Sequence, residues 1–133
     1  MGNDLLINIK YKNIGKVAKY LRYHSGQERI FLADKGSYVF FISFNKRQKR
    51  HELVGYLIVD RKGIDKNDYW GEYTLFGKSG KFIKGKDFNE IRKKLSIKIG
   101  DSMGTAKSIG MSTQSIRTLH SDDKNLILNF IKG

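Results

Sequence analysis

The chain has 133 residues with no cysteine and no proline, and its 26 Lys and Arg against 13 Asp and Glu give a net charge of +13. Without cysteine there is no disulfide and no thiolate metal site, and a hydrophobic content of 39% with 8 Phe and 7 Tyr excludes a disordered chain. No run approaches the ~20 apolar residues that cross a bilayer, and the first residues lack the apolar segment of a secretory leader, so the expected location is cytoplasmic.

In chain order, Leu5, Ile7, Ile9 and Tyr11 alternate with Leu6, Asn8, Lys10 and Lys12, which predicts a first strand. Asn13 caps a helix on which Ile14, Val17, Ala18 and Leu21 recur at helical spacing to about Tyr23, with Lys16, Lys19 and Arg22 outside. His24-Ser25-Gly26 ends that helix. Residues 28–33 read as a short strand, and Asp34-Lys35-Gly36-Ser37 has turn chemistry. Residues 38–44 are apolar at nearly every position, as in a strand covered on both faces. Residues 53–60 form its partner, with Val54, Tyr56 and Ile58 on one face and Leu53, Gly55, Leu57 and Val59 on the other. Gly55 marks a bulge or a close backbone approach.

After a polar connection at residues 61–67, residues 72–76 predict another strand, and Gly77, Gly80 and Gly85 punctuate a basic segment. Asp87 caps a short helix over residues 88–95, with Phe88, Ile91 and Leu95 inward and Arg92, Lys93 and Lys94 outward. Residues 100–110 predict a long loop and residues 112–119 a helical turn or two. Ser121 caps a final helix carrying Leu126, Ile127, Phe130 and Ile131, with Asp122 and Asp123 at its positive end. The 133 residues fit one domain. Strands without regular intervening helices predict an α+β fold: a small, strongly curved antiparallel sheet or barrel with flanking helices.

That order of elements resembles the PUA-like superfamily, which includes EVE, ASCH and YTH domains. The likeness is carried by "DKGSYVFFIS…ELVGYLIVDR", similar to a turn that delivers a barrel strand and a strand with a Gly-aromatic pair, here Gly55-Tyr56. The segment "SIRTLHSDDKNLILNF" is similar in shape to the closing helix of such domains. The resemblance implies a curved barrel whose pocket holds a flipped or modified base beside basic surface, as in reader modules of modification-dependent restriction systems. YTH-type cages use two or three aromatics, commonly Trp. This chain has Trp70 alone, so Tyr or Phe must complete any cage.

A field of this sign attracts polyanions, nucleic acid foremost. The densest charge is Lys46, Arg47, Lys49 and Arg50, on a loop between the two central strands. Arg grips phosphate oxygens bidentately and Lys acts as a point charge, so the loop is a candidate phosphate contact. A solvated hairpin tip whose charge discourages edge pairing has the same composition. Lys81 and Lys84, flanked by Lys78 and Lys86, and the helix face with Arg92 and Lys93 are further phosphate candidates.

For the base pocket the candidates are Trp70, Tyr69 and Tyr73 at a loop-to-strand junction, with Tyr23 and Ser25 where the first helix gives way to a loop. A stacked base is worth ~1–3 kcal/mol, although large aromatics fill cores just as readily. The small and hydroxyl residues of 100–117 can follow a phosphate backbone, but no P-loop triplet or dinucleotide fingerprint is present.

Catalytic signals are thin. His24, His51 and His120 lack metal-ligand spacing, and there is no nucleophile elbow. Asp60, Asp65 and Asp68 are close enough in sequence to suggest a Mg²⁺-dependent nuclease, but no E-x-K pattern supports them. The expectation is therefore a non-catalytic nucleic-acid-binding module with no cofactor, metal or membrane partner, alone or fused to an effector domain. The alternatives are a small basic inhibitor that docks on an acidic protein, and the nuclease.

Overall fold

The chain crosses one face of its sheet before the sheet can close. In the computed structural model, which describes residues 2–69, 71–96 and 116–133, β1 (Asp4–Asn8) leads through a 3-10 turn into α1 (Ile14–Tyr20) and then β2 (Arg22–Ser25). A second 3-10 turn, Glu28–Leu32, returns the chain to β3 (Tyr38–Asn45). There follow β4 (Arg50–Ile64), β5 (Tyr73–Asp87), α2 (Asn89–Arg92), β6 (Arg117–Leu119) and α3 (Ser121–Lys132). The described strands form one mixed sheet in the order β2-β5-β4-β3-β1-β6, curled into a half-barrel.

The α+β class and the curved sheet agree with the sequence reading, but the sheet is not wholly antiparallel. β1 runs parallel to β3, with Leu5 opposite Val39 and Ile7 opposite Phe41. The excursion through α1 and β2 permits this, because it is the crossover that carries the chain from the end of β1 back to the end at which β1 began. The other pairings are antiparallel.

The sheet is covered on both faces, as the unbroken apolar run of β3 requires. Val39 and Phe41 join Leu5, Ile7, Val17, Ile30, Leu57 and Leu75 on the face that α1 crosses. Phe40 and Ile42 join Leu6, Leu53, Phe88, Leu119 and Ile127 under α2 and α3. Gly55 sits at φ 149°, where a Cβ would collide with the carbonyl of Lys81. The register slips there against β5. This bulge breaks the alternation expected of residues 53–60: Leu53 packs with Tyr56 on one face, and Val54 with Leu57 and Val59 on the other.

Several local expectations change, and residues 61–64, expected in a polar connection, extend β4. Leu21 takes a left-handed conformation (φ 52°), its N–H bonding the Val17 carbonyl at 2.8 Å, so the first helix stops at Tyr20 and residues 22–25 become a strand. Residues 28–32 form a 3-10 turn instead of a strand. β5 continues through Gly77, Gly80 and Gly85, because β4 offers ladder partners as far as Asp87. Residues 117–119 pair with β1 instead of coiling. The segment at 100–110 and residues 112–115 lie outside the described residues.

The closing helix starts one residue earlier than Ser121 suggests. His120 is its N-cap, in a capping box with Asp123. Asp123 is buried and accepts from the Ser96 N–H at 2.7 Å, the Ser96 hydroxyl at 2.6 Å and the His120 N–H at 3.2 Å. Burial pushes its pKa up, but these donors outweigh burial and hold it below the ordinary carboxylate value.

Candidate nucleic-acid interface

The basic hairpin is built by Asn45. Its side-chain carbonyl accepts the N–H groups of Arg47 at 3.0 Å and Gln48 at 3.2 Å, and Lys49 turns the chain back at φ 53°. Lys46, Arg47 and Lys49 are exposed at the tip. Arg50 is not available in the same way. Its Nε donates to Glu52 at 2.8 Å, and the buried Glu52 also accepts from Asn45 Nδ2 at 2.9 Å. The expected four-cation phosphate contact is therefore three cations and a structural ion pair.

The other phosphate candidates divide likewise. Lys81, Lys84 and Lys93 are exposed. β2 covers β5 along Tyr73–Phe76 and the Leu21 carbonyl takes the Gly77 N–H, so Lys81 and Lys84, further along that edge, also deter strand addition. Lys86 instead donates to the Phe130 carbonyl at 2.7 Å and closes the end of α3. Arg92 contradicts the outward-facing assignment. It is 4% exposed, and its Nε donates to Asn89 at 3.2 Å. α2 is a single turn, and its last residue is drawn beneath the surface instead of extending the basic face of Lys93 and Lys94.

The pocket candidates meet across strands β2 and β5, where Tyr23 stands opposite Leu75, His24 opposite Thr74 and Ser25 opposite Tyr73. Segments about fifty residues apart in sequence thus adjoin, but with unequal roles. The Tyr23 ring packs on Phe41 with centroids 5.5 Å apart; burial pushes its hydroxyl up to about 12, partly offset by a hydrogen bond with Ser25. Ser25 is buried, and its hydroxyl also accepts the Gln27 N–H at 3.0 Å. Tyr73 packs edge-on against Phe31 at 5.3 Å and belongs to the core wall. Tyr69 is 90% exposed. Trp70 lies outside the described residues.

The cavity at this place lies against α1 and β2. It has a volume of about 370 Å³ and is lined by Asn13, Lys16, Val17 and Tyr20 from the α1 region and by Arg22, Tyr23 and His24 from β2. Of the four expected pocket residues that are described, Tyr23 is in this wall and Tyr69, Tyr73 and Ser25 are not. Sequence reasoning placed Lys16 and Arg22 on the outer face of a continuous helix. Tyr20 and Tyr23, the latter an expected pocket residue, flank Arg22 at the point where that helix breaks.

His24 ties the wall to the following loop. Its Nδ1 lies 3.1 Å from Asp68 Oδ2 and 3.0 Å from Thr74 Oγ1. A carboxylate can only accept, which places a proton on Nδ1. Asp68 is thus an anchor for the loop that carries Tyr69. Asp65 turns the same loop: its N–H bonds the Glu72 carbonyl at 2.7 Å and its Oδ1 accepts from Asn67 at 3.0 Å. No group of three or more His, Asp or Glu able to hold a metal ion occurs among the described residues, and Asp60, Asp65 and Asp68 form none there.

Among the described residues, no helix is long and apolar enough to cross a membrane. Neither protein-family models nor curated proteins give a match to the sequence.

Proposed function

We propose that this chain is a nucleic-acid-binding module that holds one base in the α1–β2 cavity and contacts phosphates through the surrounding cations. The observation that carries the reading is the cavity itself. Its volume falls in the range that takes small ligands, and its wall combines the Tyr20 and Tyr23 rings with the cationic side chains of Lys16 and Arg22. An apolar, aromatic cleft suits a base, and cations beside it suit the phosphate that every nucleotide carries. The net charge of +13 supplies the long-range attraction. A pocket of this kind also suits a reader of a modified or flipped base, the function that the PUA-like resemblance implies.

The test is a binding panel of plain and base-modified DNA and RNA oligonucleotides at two salt concentrations. Binding at low salt is expected, with log K falling against log salt by about 0.9 per phosphate neutralised on duplex DNA. Absence of binding to every oligonucleotide at low salt would overturn the reading. Co-purification of an acidic protein free of nucleic acid would favour the inhibitor alternative in its place.

A further inference from the structure

Beside the cavity, on the sheet face that Arg22 and His24 share, three cross-strand neighbours form a row over β2, β5 and β4. Arg22 stands opposite Phe76, and Phe76 opposite Arg61. Both guanidinium carbons lie over the same ring, Arg22 at 5.1 Å and Arg61 at 3.8 Å from its centroid. Gly63 makes the arrangement possible, since a Cβ there would come within 2.8 Å of the Phe76 ring. Both arginines are exposed, and among the described residues neither forms a salt bridge with a carboxylate.

Two like charges drawn to one ring repel each other, and neighbouring like charges on a sheet face are destabilising. The ring offsets part of that cost and holds both guanidinium groups beside it, at the exposed surface. Other exposed cations nearby are disposed differently. Lys62, the next residue on β4, projects to the opposite face, donates to the Phe31 carbonyl at 2.9 Å and pairs with Asp34. A tetrahedral oxyanion seated above the row, within reach of both arginines, would relieve the repulsion and accept N–H donors from each.

We propose that the Arg22–Phe76–Arg61 row is a second binding subsite, for the phosphodiester next to the nucleotide whose base enters the cavity. Arg22 belongs to both sites, since it also lines the cavity, and so links base and backbone recognition. The inference rests on the nucleic-acid reading above and adds to it a fixed phosphate position.

The test compares the parent protein with Arg61→Ala, Arg61→Lys, Phe76→Leu and Lys62→Ala, using fluorescence anisotropy of a labelled 12-mer in single-stranded and duplex form across a salt series. Circular dichroism confirms that each variant folds. Arg61→Ala is expected to weaken binding about tenfold at low salt and to reduce the salt slope by about one phosphate. Arg61→Lys should keep the slope and recover part of the affinity. Phe76→Leu should weaken binding with the slope nearly unchanged, because the charges remain but lose their platform. Lys62→Ala should bind as the parent does.

If the parent binds and Arg61→Ala matches it in affinity and slope, the subsite is wrong and the module reading stands. A parent that binds no oligonucleotide removes both. Inorganic phosphate that displaces the oligonucleotide beyond sodium chloride of equal ionic strength would assign the pair to a free anion and overturn the phosphodiester assignment.

Discussion

At one end of β4, Arg50 is locked to the buried Glu52, Lys86 nearby closes the carbonyl end of α3, and three further cations stand on the hairpin tip. At the other end, Arg61 and Arg22 lie against Phe76 with no carboxylate between them, beside an open cavity. The same residue types thus do different work along one strand. Near α3, Arg50 and Lys86 are tied to Glu52 and to the Phe130 carbonyl, in the wall of a second cleft of about 530 Å³. Near β2, Arg22 and Arg61 share an aromatic ring and no carboxylate. Charge density along the sequence does not reveal this division; the partners of each cation do.

The largest expected effect tests whether the α3 side is indeed the structural half. Phe40 is fully buried there, stacked on Tyr38 and edge-on to Tyr56. Phe40→Ala should lower unfolding stability by ~3–5 kcal/mol in a denaturant titration. Tyr20→Ala, at the exposed rim of the cavity, should stay within about 0.5 kcal/mol of the parent. Equal losses would break the contrast.

Next comes acid sensitivity, which also belongs to the hairpin end. His51 is 2% exposed with its Nδ1 unpaired, and burial lowers its pKa from 6.5 to about 4. In the unfolded chain the ring takes up a proton at about 6.5, whereas the folded protein resists until about 4. Stability is therefore intact above pH 6.5 and falls as pH drops toward 4, by at most about 3 kcal/mol at 1.36 kcal/mol per unit. His51→Phe should flatten this window. Asp123, held low by its donors, loses its contribution at more acid pH. An unchanged slope between pH 6.5 and 4 in His51→Phe would show that His51 is not the sensor.

The cavity end answers through binding. Tyr20→Ala should cost ~1–3 kcal/mol of affinity for an oligonucleotide with an unpaired base, if the ring stacks on that base. Equal affinity for parent and variant would remove Tyr20 from the site.

The sequence was clearest where packing repeats and least clear where a single residue changes direction. The double-sided burial of β3, the bulge at Gly55 and the amphipathic α3 all follow from side-chain patterns. β2 was hidden because Leu21 continues the Ile14, Val17 and Ala18 stripe and then adopts φ 52°, a conformation that Leu seldom takes. The full length of β5 was hidden because Gly77 serves close approach instead of a turn: its N–H bonds the Leu21 carbonyl at 2.7 Å. The cavity depends on both events, so its wall could not be assembled from local pattern, although Tyr23 was singled out. Arg92 is buried where the helix pattern puts it outward, and Arg50 is paired with Glu52, for a related reason: the partners of an arginine are set by tertiary packing.

The smallest expected effect addresses whether the hairpin tip and the cavity serve one ligand. Arg50 and Arg61 are eleven residues apart on β4, so at roughly 3.3 Å per residue the two basic groups are about 36 Å apart along the strand. A duplex rises about 3.4 Å per base pair, so one much shorter than ~10 base pairs does not reach from one to the other. Replacing Lys46, Arg47 and Lys49 together by Ala should therefore leave binding of a six-base-pair duplex unchanged. With an eighteen-base-pair duplex the same variant should lose about one to three phosphate contacts from its salt slope. A loss that is the same for both lengths would mean that the tip acts through the overall field of the protein and makes no local contact. No loss at either length would leave the tip as a solvated turn whose lysines keep sheet edges apart.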